Sequence, residues 1–187
     1  MKNESTAKYI LRLTVTLLAI CAFVALALAG VNAITKDKIA ENKAAKTTAA
    51  LQQVLPGVTN VQEVSFLDDS GLVKKVYRGA NGYAVEVAPL GFGGAITMMV
   101  GINENGEVIG ISIISHAETP GLGAVAAAAT DKGAAFRDQF AGLVSGITIG
   151  SGENQIDSIS GATISSQAIV DGVNAALGCV VAVREIH

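Results

Sequence analysis

The chain of 187 residues predicts an α+β domain carried behind a single N-terminal transmembrane helix, and three observations predict it. Residues 13 to 35 contain no charged side chain. Residues 71 to 115 are a series of short β-branched runs separated by Gly, Asn and Asp. Near the C-terminus, Ala168, Ile169, Val173, Ala176 and Leu177 recur at helical spacing.

Composition agrees with that division. Half of the residues are hydrophobic, yet only 4% are aromatic and Trp is absent, so the apolar content is mainly aliphatic. A net charge of −3 supplies no basic footprint, which sets nucleic acid aside as a partner. Two cysteines are too few for a disulfide scaffold. Cys21 lies in the most apolar stretch and Cys179 in "LGCVVAV", so both read as small buried hydrophobes.

The first element spans Leu13 to Thr35, 23 residues, enough at ~1.5 Å per residue to cross the ~30 Å hydrocarbon layer. A cleaved signal peptide is the rival reading, because Lys2, Lys8 and Arg12 form a basic start and "ALA" at 27–29 resembles a cleavage site. The run is longer than a signal core, so we read a retained anchor in contact with membrane lipid. Lysines flank the span on both sides, which leaves its orientation undecided by charge. The following stretch, rich in Ala, Lys, Glu and Gln as far as Pro56-Gly57, reads as a helical spacer. The predicted divisions are therefore 1–35 for the N-terminal segment and span, 36–57 for the linker, and 58–187 for one domain.

Within that domain "GLVKKVYRG", "GYAVEVAPL", "GAITMMVGI" and "EVIGISIIS" predict four strands. "NENG" at 103–106 predicts a hairpin turn in which Asn105 and Gly106 supply positive φ. Ala124 to Phe140 predicts an Ala-rich helix with a weak point at Gly133. The last helix should begin at Thr163 or Ser165.

Two stretches carry the chemistry. "SISGATISS", residues 158–166, packs hydroxyl side chains around a Gly-Ala step directly before a helix, with Asp157 ahead of it. Ser and Thr cap helices there, and on the residues alone capping is the more ordinary reading. The same position also suits a phosphate, because free N–H groups and the helix dipole favour an anion. "SHAETPGLGA", residues 115–124, is stiff at Pro120 and open at Gly121 and Gly123, so a flat ligand can approach its backbone. The plainer reading is a turn with a solvated His116. His116 and Glu118 lack the further partners of a metal site, and no nucleophile constellation accompanies them, so neither a metal ligand nor a catalytic residue is assigned.

Taken together with the span and "GFGGAI" at 91–96, these motifs change the reading. Their order and spacing resemble the FMN-binding subunits of bacterial redox-driven ion pumps, namely the G subunit of the Rnf complex and, more distantly, the C subunit of the sodium-translocating NADH:quinone reductase. The resemblance covers essentially the whole chain. It implies FMN joined through its phosphate to the hydroxyl of Thr163 by a separate flavin transferase, with Asp157, Ser160, Gly161 and Ala162 completing the modification motif. It also implies that Glu118, Thr119, Gly121, Leu122 and Gly123 lie against the isoalloxazine ring, and that Ser165 adds a hydrogen bond near the phosphate. The implied activity is electron relay within a ferredoxin:NAD oxidoreductase that moves Na⁺ or H⁺. Its partners would be the other membrane subunits, and its flavin domain would stand outside the inner (cytoplasmic) membrane. Two alternatives are a stand-alone anchored electron carrier and a non-redox scaffold subunit in which SGAT merely caps a helix. His116 and Lys132 receive no role.

Overall fold

A computed structural model describes residues 3–57, 61–68 and 70–186. The predicted boundary at Val58 lies outside them. The chain divides into two compact units, residues 1–44 and 45–187.

The first unit lies within a single helix, α1 (Asn3–Val54), whose apolar side chains from Tyr9 to Ile34 are exposed. Cys21 is one of these exposed residues, contrary to the buried position expected of it. A lone helix has no neighbour to bury a small thiol, and the unit offers its apolar surface on all sides, as a lipid-facing helix does.

In the second unit five strands form an antiparallel meander: β1 (Gln62–Val64), β2 (Val73–Gly79), β3 (Gly82–Val87), β4 (Thr97–Asn103) and β5 (Val108–Ser115), paired in chain order. Every residue of β3 is buried, because both faces of the sheet are covered. Met98, Val100 and Ile102 of β4 join Val85 and Val87 beneath helix α3 (Thr163–Ile186), which presents Ile169, Val173 and Leu177 to them. The opposite face carries Ala84, Met99 and Ile114, closed by Ala50, Leu51, Val54 and Leu55 from the last turns of α1. Gly101 lies on that face because a side chain there would run into the Val54 backbone. α3 is also long and apolar enough to cross a membrane, but 61% of its apolar window is buried, which makes it a core helix.

Three details differ from the sequence reading. At 103–106 only Gly106 has positive φ (89°), because the Asn103 side-chain oxygen accepts the Asn105 and Glu107 N–H groups and holds Asn105 in an ordinary conformation. The Ala-rich block forms a short 3₁₀ helix (Gly123–Ala127) and a separate helix α2 (Asp131–Asp138). Thr130 interrupts them by capping α2, its hydroxyl accepting the Gly133 N–H at 3.3 Å. Gly133 is therefore a packing requirement and not a weak point: a Cβ there would strike the carbonyls of Val125 and Ala128. The short strands β1, β6 (Thr148–Ile149) and β7 (Gln155–Ile156) had no counterpart in the reading, since two or three residues cannot display a period.

Candidate functional site

The segment leaving β5 turns inward at Glu118. His116 Nδ1 accepts the Glu118 N–H at 3.2 Å, and the Glu118 side chain is only 6% exposed. Its Oε1 accepts the Gly93 N–H at 3.0 Å and its Oε2 accepts the Ser165 hydroxyl at 2.6 Å. One carboxylate thus ties together the β3–β4 connection, the loop after β5 and the first turn of α3. The glycines around it make room: a Cβ on Gly123 would lie 2.5 Å from both Glu118 Oε2 and Ser165 Oγ, and one on Gly91 would strike Oε1. Gly121 (φ 79°) and Gly161 (φ 75°) occupy the left-handed region that a side chain disfavours.

At the start of α3 the hydroxyls have different tasks. Ser166 donates to the Ala162 carbonyl and accepts the Ile159 N–H, each at 3.0 Å. Ser165, 2% exposed, donates its hydroxyl to the Glu118 carboxylate, a charge-assisted bond. Thr163 is exposed, and among the described residues its hydroxyl has no hydrogen-bond partner. The first bond of α3 runs from the Ser166 N–H to the Ala162 carbonyl at 2.9 Å, which leaves the N–H groups of Thr163, Ile164 and Ser165 without an acceptor among the described residues. None of these hydroxyls caps the helix. Ahead of them Gln139 grips the backbone of Asp157 on both its N–H and C=O, leaving the Asp157 carboxylate in solvent.

These parts meet in an open pocket of about 380 Å³. Its walls include Glu118, Thr119, Leu122, Gly123, Gly161, Ala162, Thr163 and Ser165; Gly121 and Ser160 stand outside the lining. Two wall residues escaped the sequence reading, Phe92 and Ile164. The signal for Phe92 was an aromatic side chain isolated between glycines in a chain poor in aromatics, and it is 71% exposed. His116 lines a different cavity, with Lys46, Gln53 and Ser112, and Lys132 is exposed on α2.

A small-molecule site with free N–H groups at a helix start and apolar walls defines a class, the anchored binder of a flat, anionic cofactor. Residues 91–178 match the model of the FMN-binding domain, and residues 1–54 match that of the RnfG N-terminal region. The chain is 34% identical to the G subunit of the Na⁺-translocating ferredoxin:NAD⁺ oxidoreductase complex of Acetobacterium woodii, over 89% of each chain. It is equally 34% identical to the G subunit of the ion-translocating oxidoreductase complex of Methanosarcina acetivorans, over 92% of this chain and 95% of that one. A proton-translocating counterpart from Clostridium ljungdahlii is 40% identical over about half of each chain. The chain belongs to the family of G subunits of Rnf complexes.

FMN fits the residues present. The pocket lies within the ~300–1,000 Å³ range of small-molecule sites. It joins apolar side chains for a ring (Phe92, Leu122, Ile164) to an exposed hydroxyl and unpaired N–H groups for a phosphate.

Proposed function

We propose that this chain is the membrane-anchored flavoprotein subunit of an Rnf-type complex, holding FMN by a phosphoester to Thr163 and relaying electrons during ferredoxin:NAD oxidoreduction coupled to ion movement. The relatives bear names specifying Na⁺ in one case and protons in another, so the coupled ion is Na⁺ or H⁺. Residues 1–35 form the single-pass anchor in the inner membrane, and the compact unit that starts at Ala45 is the flavin domain on the extracytoplasmic side. The other subunits of the complex and a flavin transferase are its partners.

The observation that carries this reading is the state of Thr163. A hydroxyl that only capped α3 would accept a first-turn N–H; this one bonds to nothing among the described residues, stands exposed on the pocket wall, and has three free N–H groups beside it. FMN, when bound, supplies the redox chemistry by taking up and releasing electrons. The chain supplies the rest. The first turn of α3 offers N–H groups and its dipole to the phosphate. Phe92, Leu122 and Ile164 shed water against a flat apolar body, and the Glu118 clamp fixes the loop that forms one wall. The exposed Asp157 and Gly161 leave the Thr163 hydroxyl, itself exposed, within reach of a modifying enzyme.

The test is denaturing electrophoresis and intact mass on natively produced protein. A fluorescent band and a gain of one FMN less water are expected. Thr163→Ala should lose both while its circular dichroism and thermal unfolding stay within about 0.5 kcal/mol of the parent, as befits an exposed side chain. Parent protein without flavin, or a fluorescent Thr163→Ala band, would sink the reading.

A further inference from the structure

Resting on the flavin reading above, we infer that Glu118 is a fixed negative charge that lowers the reduction potential of the flavin, a positioning and tuning residue that acts through its field.

The carboxylate is buried, and no Lys or Arg shares the pocket wall with it. The two ion pairs among the described residues, Lys38–Glu41 and Lys75–Glu63, leave it aside. A buried charge without a counter-ion is costly and is retained only where something else stabilises it. Here the stabilisation is visible. The Gly93 N–H and the Ser165 O–H each donate to a different oxygen of the carboxylate, so both oxygens are engaged as acceptors. Ser165 belongs to the first turn of α3, where the helix dipole also favours an anion.

The phosphate does not explain that charge. Two anions at one helix start repel each other, so a neutral Gln or a second hydroxyl at position 118 would serve a phosphate better. A redox-active ring held in the same pocket does explain it. Reduction of the flavin by two electrons and one proton leaves one more negative charge on the ring. A carboxylate fixed in a poorly screened wall opposes that gain and shifts the equilibrium towards the oxidised form. Rigidity makes the effect dependable, because the backbone closes on the carboxylate at Gly91 and Gly123 and leaves it no room to swing away.

The experiment is a spectroscopic redox titration of the full-length, natively flavinylated protein, with dithionite as reductant and a dye of known potential as reference. Glu118→Gln keeps the shape and both hydrogen bonds, with the Ser165 hydroxyl turned to accept. It should favour reduction about tenfold, a rise of about 30 mV for a two-electron couple. Glu118→Asp, which keeps the charge, should stay closer to the parent than Glu118→Gln does. An unchanged potential in Glu118→Gln overturns the inference. So does an equal shift in both variants, which would mark a purely structural role. A Glu118→Gln protein lacking flavin while Glu118→Asp carries it would assign the carboxylate to attachment and overturn tuning as well. Absence of flavin from the parent would fault the underlying reading instead.

Discussion

Gly123 shows how little space the pocket has to spare. Its missing Cβ would sit 2.5 Å from two oxygens that are already hydrogen-bonded to each other, and neither can retreat, since Ser165 is fixed by α3 and Glu118 is also held by Gly93. Gly123→Ala should therefore destabilise by about 1–3 kcal/mol, the ordinary cost of overpacking, and loosen the clamp. Thermal unfolding reads the first effect and the yield of covalent flavin reads the second. An alanine variant as stable as the parent would mean that the wall yields easily. At this scale the sequence revealed residue types better than their tasks. The glycines around Glu118 and the hydroxyl at Thr163 stood out as chemistry, whereas the Ser165–Glu118 bond joins positions 47 apart and no local pattern announces it. Phe92 was overlooked for a related reason: an exposed aromatic side chain in a loop has no periodicity, and only the folded pocket gives it a neighbour.

Among the elements, the strands and α3 were legible because each has a face to bury, and burial imposes a period of 2 or 3.6. The turn that starts β2 was not, because its stability comes from one side chain. Asp68 accepts the Ser70 N–H and the Val73 N–H at 2.9 Å and the Ser70 hydroxyl at 2.5 Å. Burial pushes this carboxyl up, but the bonds from Ser70 and Val73 outweigh it and hold the group below its ordinary 3.8. A folded-state value below the unfolded one stabilises the fold fully above the unfolded pKa, and that contribution is lost as pH falls through the folded value. Asp68→Asn has no such titration. The parent should be the more stable at pH 7, and the gap should narrow in acid, below about pH 4. Denaturant midpoints of both proteins at several pH values check this; a gap independent of pH would show that the carboxylate charge contributes nothing to the turn.

For the whole molecule, the question is where the domain begins. The change in composition after Pro56-Gly57 suggested 58, because the Ala-, Lys- and Glu-rich stretch before it looks solvated throughout. Yet Ala50, Leu51, Val54 and Leu55 are buried against Ala84, Met99 and Ile114, and the compact unit starts at Ala45. Four apolar residues spread over six positions make only one and a half turns, too short a stretch to register as an amphipathic helix beside so many alanines. A chain beginning at Ala45 should therefore fold as a soluble, monomeric domain with a cooperative melt. A chain beginning at Val58 exposes one whole face of the sheet and loses four buried side chains, of which the two Leu and the Val contribute about 1.5–3 kcal/mol each. That total rivals the entire ~5–15 kcal/mol margin of an ordinary domain, so the shorter chain should aggregate or unfold. Size-exclusion chromatography and thermal unfolding of the two truncations separate the cases. Equal solubility and equal melting would mean that the last turns of α1 only lie on the sheet without contributing to its stability.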